Sequence, residues 1–198
     1  MKKLNVSKES VRIVVCLGVI ALVASLLLAV VNLFTQVDEA AELRKAIGEV
    51  YAEAEIEREV DLKDFENTDG TEVLNVFVAD DGAYIILTHV AKADKVGYNA
   101  GGVSMLVIIK DDEIIKLSGY SHSETPGLGA NAFKDKHLDQ YIGLTTDRFD
   151  VYEGEQIVAP DGGYFTPVKV TSATYTTNAV FLAVKASVRA YVILTGGM

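Results

Sequence analysis

The sequence predicts an α+β domain carried on a single N-terminal transmembrane helix, and three patterns predict it. Residues 13–34 form an apolar run without charge, in which Ser25 and Asn32 are the only clearly polar side chains. Between residues 73 and 120 lie short β-type runs separated by Asp- and Gly-containing breaks. From 176 to about 194 an apolar stripe recurs at helical spacing. Strands followed and interrupted by helices give an α+β arrangement.

The first element is residues 1–12, a short basic segment with Lys2, Lys3, Lys8 and Arg12 against a single Glu9. The run at 13–34 follows, and a helix rising about 1.5 Å per residue crosses roughly 30 Å of hydrocarbon over that length. Behind it stand Asp38, Glu39 and Glu42. The positive-inside rule puts the N-terminus in the cytoplasm and the rest of the chain outside the cell membrane. A cleaved signal peptide also begins basic and turns apolar, but this run exceeds the usual core of about 7–15 residues and no small-x-small cleavage site follows. Cys16 comes after Ile-Val-Val rather than small residues, so it reads as a helix-packing thiol and not a lipid attachment site. As the one cysteine, it also excludes an intramolecular disulfide or a cysteine-based metal site.

Charge narrows the class of partner. Of 18 basic and 28 acidic side chains, 4 bases and 1 acid lie in residues 1–35, which leaves the outer part at about −13. Nucleic-acid binding needs the opposite sign. An acidic surface stands off anionic headgroups, which suits a domain held beside a bilayer.

Residues 35–60 read as an amphipathic helix continuing from the membrane, with Ala40, Leu43, Ala46, Ile47, Val50 and Tyr51 at spacings of three and four. Such a helix either docks a partner or packs on its own domain. The outer domain then occupies 61–198, beginning with a polar connector at 61–71 whose Asp69-Gly70 signals a turn. Runs at 73–79, 83–91, 103–110 and 113–120 pair as two hairpins, broken by Asp80-Asp81-Gly82, a Gly-containing stretch at 97–102, and Asp111-Asp112. A helical stretch at 134–143 and a loop-rich segment around Asp161-Gly162-Gly163 come next. The last helix carries Val180, Val184, Ser187, Val188 and Tyr191 on one stripe and stops at Gly196-Gly197.

Two segments carry candidate chemistry. Residues 170–180, Val-Thr-Ser-Ala-Thr-Tyr-Thr-Thr-Asn-Ala-Val, set a cluster of hydroxyls directly before the last helix. A helix N-terminus presents unpaired N–H groups and partial positive charge, so a phosphate is stabilised there without Lys or Arg. The same residues fit simple capping by Thr174, Thr176 or Thr177. The second segment, 121–133, is a loop with Pro126 fixing its own φ, and Gly127 and Gly129 permitting close backbone approach by a flat ligand. Glu124 within it either accepts hydrogen bonds from ring nitrogens or backbone, or braces the turn. His89 sits in a strand pattern, His137 in a helix pattern, and no two histidines have ligand spacing, so no metal site is expected. His122, two residues before Glu124, stands close enough in sequence to reach a ligand in this loop.

The pair Glu-Thr-Pro-Gly-Leu-Gly at 124–129 and Thr-Ser-Ala-Thr at 171–174 resembles the covalent-FMN domain of the subunit designated G in Rnf ion-translocating electron-transport complexes. It is similar also to the subunit designated C in the sodium-translocating NADH:quinone oxidoreductase, though the present chain is short for that protein. The resemblance implies a flavin transferase that esterifies FMN phosphate to Thr174, with Thr171, Ser172, Ala173 and Thr177 around the attachment point. It also implies that Glu124, Thr125, Gly127, Leu128 and Gly129 flank the flavin ring. The family usually has an acidic residue three positions before the first motif hydroxyl; Val168 stands there, followed by Lys169, which is positioned in sequence to pair with the FMN phosphate. Ser172 replaces a common Gly. The implied function is that of an electron-carrier subunit in a ferredoxin:NAD+ oxidoreductase that moves Na+ or H+, with the complex's other membrane and peripheral subunits as partners. No independent catalysis by this subunit is expected. A membrane-tethered assembly module without cofactor is the alternative from another class.

Overall fold

A computed structural model describes residues 8–35, 39–53, 55–63, 65–68, 70–151 and 159–196. The chain divides into two units, Met1–Leu43 and Arg44–Met198. The first contains helix α1 (Lys8–Thr35), whose segment Val11–Asn32 has a mean hydropathy of 3.1 and has no residue buried inside the protein. Leu28 and Val14 are 70% and 69% exposed, and the other large apolar side chains of this segment are exposed likewise. Apolar surface of that extent is stable only under lipid or another protein. The basic residues ahead of Lys8 lie outside the described residues.

Helix α2 (Glu39–Val50) is shorter than the helical pattern over 35–60 suggests. It closes where the Tyr51 N–H donates to the Ile47 carbonyl at 2.7 Å. The charged stretch beyond it becomes strand β1 (Ile56–Glu59), which pairs antiparallel with β2 (Thr71–Ala79) through Ile56 opposite Ala79 and Glu59 opposite Phe77. A short edge strand tolerates charge on both sides, so it shows none of the alternation by which strands are recognised.

The two expected hairpins, β2 with β3 (Tyr84–Val90) and β4 (Val103–Lys110) with β5 (Glu113–His122), are both present. They fuse because β3 and β4 also pair, from Tyr84 opposite Ile109 to Val90 opposite Val103, giving one antiparallel sheet in the order β1-β2-β3-β4-β5. Asp111 and Asp112 turn the second hairpin with φ of +50° and +62°, the left-handed pair that a two-residue turn requires.

One face of the sheet is covered by the last long helix, Thr174–Thr195 (α4 below, after a one-turn helix α3 at Asp135–Leu138). Its stripe of Val180, Val184, Ser187, Val188 and Tyr191 is buried, and its apolar members share a core with Val76, Ile86, Met105, Val107 and Ile109 of the sheet. That stripe matches the one read from the sequence. Alternate residues Ile85, Leu87, Leu106 and Ile108 are buried on the opposite face. Tyr51 is fastened near that layer, donating its hydroxyl to Asp81 Oδ2 at 2.5 Å, with the Lys116 ammonium 6.0 Å from its ring centre. By composition α4 is apolar enough to cross a bilayer, but most of its apolar stretch is buried inside the protein, so it is the core helix of this domain.

The helical stretch at 134–143 is broken up: a 3-10 turn at Gly129–Phe133, α3, and a second 3-10 turn at Asp139–Tyr141, ended by Gly143 at φ +81°. Helix α4 begins at Thr174, two residues earlier than the apolar stripe indicates, and ends on Gly196 in the left-handed conformation.

Candidate functional site

The loop after β5 and the first turn of α4 meet at Glu124. This carboxylate is 5% exposed and fully engaged: Oε1 accepts the backbone N–H groups of Tyr98 at 2.9 Å and Asn99 at 3.0 Å, and Oε2 accepts the Thr176 hydroxyl at 2.8 Å. Burial pushes its pKa up, but the two N–H donors, the Thr176 hydroxyl and nearby His122 outweigh that and hold it below the ordinary value. Of the two readings of Glu124, the geometry is that of a brace. It ties three segments that are distant in sequence, the 97–102 loop, the 124–129 loop and α4.

Gly129 is required by this packing. A Cβ there would collide with Glu124 Oε2 and stand 2.9 Å from Thr176 Oγ1, so only glycine lets the loop close over the carboxylate. Gly127 serves differently, taking φ +77° with open space beside it. The Thr125 carbonyl accepts the N–H groups of Leu128 at 3.1 Å and Ala130 at 3.2 Å, and Asn131 Nδ2 donates to the Gly127 carbonyl at 2.7 Å. Leu128 is left on the rim, 49% exposed. His122 stacks on Phe133 with ring centres 3.9 Å apart and accepts the Glu124 N–H on Nδ1 at 3.3 Å, so it steadies the loop from behind.

Between these segments opens a cavity of 430 Å³, bordered by Tyr98, Glu124, Thr125, Leu128, Gly129 and the first turn of α4 from Ser172 to Thr176. That volume lies within the range of small-molecule and cofactor sites. The hydroxyls of the first turn divide their roles. Thr176 is consumed by Glu124, and Thr177 donates to the Ala173 carbonyl at 3.0 Å while accepting the Val170 N–H at 3.3 Å. Neither caps the helix; the capping position is Ala173, and among the described residues no side chain bonds to the first-turn N–H groups. Thr174 itself is half-buried on the cavity wall, and among the described residues its hydroxyl has no hydrogen-bond partner. A free hydroxyl and uncapped N–H groups at the start of a long helix fit a phosphate ester in charge and in hydrogen-bonding capacity. Among the described residues no Lys or Arg borders the cavity.

Ser172 stands at φ +64°, the left-handed region in which a side chain is strained, and that conformation is why Gly suits this motif position. Thr171 is exposed and does not border the cavity. Lys169 borders a different groove, together with Val168 and Val170. The sequence reading missed Tyr98 and Tyr175 as site residues, and took Thr176 for a possible helix cap where it is in fact the hydroxyl partner of Glu124. Tyr98 is 68% exposed and Tyr175 44%, and both border the cavity. The signal was present for Tyr98, an aromatic set between glycines in a stretch that otherwise reads only as a break. The three histidines have separate partners: His89 Nδ1 lies 3.0 Å from Ser104 Oγ, His122 is on Phe133, and His137 Nδ1 is 2.8 Å from Gln140 Nε2.

Known proteins resemble the chain over this same region. The family of FMN-binding domains matches residues 97–189, from the loop that bonds Glu124 to the last third of the covering helix. The subunit designated G in the proton-translocating ferredoxin:NAD(+) oxidoreductase complex of Clostridium ljungdahlii is 34% identical over 112 residues, covering 56% of this chain and 57% of that protein. The subunit designated G in the ion-translocating oxidoreductase complex of Methanosarcina acetivorans is 30% identical over 183 residues, covering 85% of this chain and 93% of that protein.

Proposed function

Since the chain belongs to the G-type subunit family of ion-translocating oxidoreductase complexes and carries its FMN-binding domain, we propose that it relays electrons through an FMN joined by its phosphate to Thr174. The observation that carries the attachment point is the Thr174 hydroxyl, free of any protein partner among the described residues, on the cavity wall at the uncapped start of α4. Phosphate linkage leaves the isoalloxazine ring chemically unaltered, and FMN when bound supplies the redox chemistry of that ring.

The protein's part is to hold and to exclude. With no Lys or Arg at the cavity among the described residues, the charge of a phosphodiester would rest on the first-turn N–H groups and the helix dipole. Glu124 would repel that charge if it were free, but three donors already absorb it. Tyr98, Leu128 and Tyr175 offer apolar and aromatic surface to a flat ring system and keep water from its faces. Lys169, in the neighbouring groove, is not needed to hold the phosphate.

In this reading α1 spans the cell membrane with the N-terminus in the cytoplasm and the FMN domain outside, an orientation that the flanking charges favour. The partners are the other membrane and peripheral subunits of an Rnf-type ferredoxin:NAD+ oxidoreductase and, during maturation, a flavin transferase. The similarity over 93% of the Methanosarcina protein favours this assignment over the corresponding FMN-bearing subunit of a sodium-translocating NADH:quinone oxidoreductase.

In-gel flavin fluorescence after denaturing electrophoresis tests the proposal, using protein from cells that possess the transferase. A fluorescent band is expected for the wild type, for Thr171→Ala and for Ser172→Gly, and a dark band for Thr174→Ala. A dark wild-type band would favour a cofactor-free assembly module, and a fluorescent Thr174→Ala band would move the attachment elsewhere.

A further inference from the structure

A second cavity of the FMN domain, 520 Å³, lies between the segment from Asn131 to Gln140 and residues 168–170. Lys134, Lys136 and Lys169 border it, and among the described residues no Asp or Glu does. In a domain at about −13, three cations around one concavity, with no acid beside them among the described residues, is a marked local reversal of sign. All three side chains are exposed, and among the described residues none makes an ion pair; the pairs that exist there are Lys45–Glu49, Lys63–Asp61 and Lys110–Asp81. The nearest acids in sequence, Asp135 and Asp139, do not border the groove.

The walls between the cations are apolar or already satisfied. Val168 is 75% exposed and Val170 lies beside it. Gln140 is fully used, its Oε1 accepting the Val168 N–H at 2.7 Å and its Nε2 donating to the His137 carbonyl at 2.7 Å. These bonds fix the two walls against each other, so the groove is preformed. His137 is buried, and burial holds its pKa below the ordinary value, which keeps the ring neutral around pH 7.

We propose that this groove binds a phosphate-bearing small molecule with a flat apolar body, a nucleotide by chemical class. Three ammonium groups on flexible stems suit a multiply charged phosphate, which lysine meets as a point charge from any direction. An exposed valine wall suits the body attached to it and gives nothing to a bare inorganic anion. The site is separate from the Thr174 cavity and does not depend on flavin attachment.

The test is calorimetric titration of the full chain in detergent with ADP at low ionic strength. Saturable single-site binding is expected, at least about tenfold weaker in Lys134→Gln/Lys136→Gln/Lys169→Gln, since more than one charge-assisted contact is lost. The charge-matched control Lys45→Gln/Lys63→Gln/Lys95→Gln is expected to bind as the wild type does. Inorganic phosphate and glycerophosphoglycerol, the latter standing for a lipid headgroup, are expected to compete only weakly. Absence of saturable ADP binding, or equal loss in the control, would overturn the site. Inorganic phosphate or glycerophosphoglycerol binding as tightly as ADP would overturn the nucleotide class, the latter in favour of a lipid source. Thr174→Ala is expected to leave ADP binding intact, so a failure here and a failure of flavin attachment are read separately.

Discussion

Replacing Glu124 offers a graded test of the idea that one carboxylate fastens the site. In Glu124→Ala the N–H groups of Tyr98 and Asn99 and the Thr176 hydroxyl lose their acceptor together. Orphaning a buried donor costs about 1–3 kcal/mol. Tyr98 is 68% exposed, so water reaches its loop and the two N–H groups fall at the low end, about 1 kcal/mol each. Thr176 is 1% exposed and adds about 1–2 kcal/mol, for a total near 3–4 kcal/mol. For a domain of this size that lowers Tm by roughly 10 °C. Glu124→Gln keeps the shape and one acceptor oxygen, and its amide can donate to Thr176, so it loses only charge assistance, about 1 kcal/mol or roughly 3 °C. The pH dependence follows from the same bonds. The folded pKa of Glu124 is lowered from 4.5, so its contribution is fully present above that unfolded value and is lost as pH falls through the folded one. Thermal unfolding of the full chain in detergent, followed by near-ultraviolet circular dichroism across the acid range, reads both effects. Equal Tm values for the Ala and Gln variants, or a Gln variant whose acid sensitivity matches the wild type, would refute the role of brace.

Other consequences are as direct. Gly129→Ala forces a Cβ into Glu124 and Thr176, and is expected to destabilise by about 2 kcal/mol or more in chemical denaturation, whereas Gly127→Ala, with open space but φ +77°, costs only about 1 kcal/mol. Ser172→Gly removes a side chain from the left-handed region at φ +64°, and with the extra chain entropy of glycine set against it the net gain is about 0.5–1 kcal/mol, seen as a small rise in Tm. Asp81 is held down to about 2 by the Lys110 ammonium and the Tyr51 hydroxyl, so its contribution, whole above pH 3.8, fades as pH falls toward 2. Asp81→Asn is therefore expected to flatten the acid limb of a stability-against-pH curve over that interval.

The architecture was legible where side chains alternate or recur. Residues 103–110 are buried throughout apart from half-buried Lys110, and such a run bounded by turn residues reads as a central strand without further information. Val180, Val184 and Val188 likewise announce a helix packed on one stripe. What escaped has physical causes. Strand β1 is built from Ile-Glu-Arg-Glu, whose charges suit an exposed sheet edge and equally suit a helix surface. The start of α4 was read late because Thr174 and Tyr175 precede the apolar stripe, and their helical state depends on the Thr177 N–H bonding to Ala173.

At the site, the two motif stretches were legible, but not what joins them. Tyr98 and Asn99 bind Glu124 through backbone N–H groups, which no side-chain pattern records. Thr176 and Thr177 resemble caps in sequence, and only the fold shows their hydroxyls already committed elsewhere, leaving Thr174 free. Lys169 shows the reverse limit: five residues from Thr174 along the chain, it borders another groove.

The measurement closest to the central claim is peptide mass spectrometry of the mature protein, after proteolysis under denaturing conditions that strip any non-covalent flavin. The account predicts that the peptide spanning 171–177 carries the mass of FMN less one water, with fragmentation placing it on Thr174. An unmodified Thr174 peptide accompanied by free FMN, or the adduct on any other residue, would contradict it.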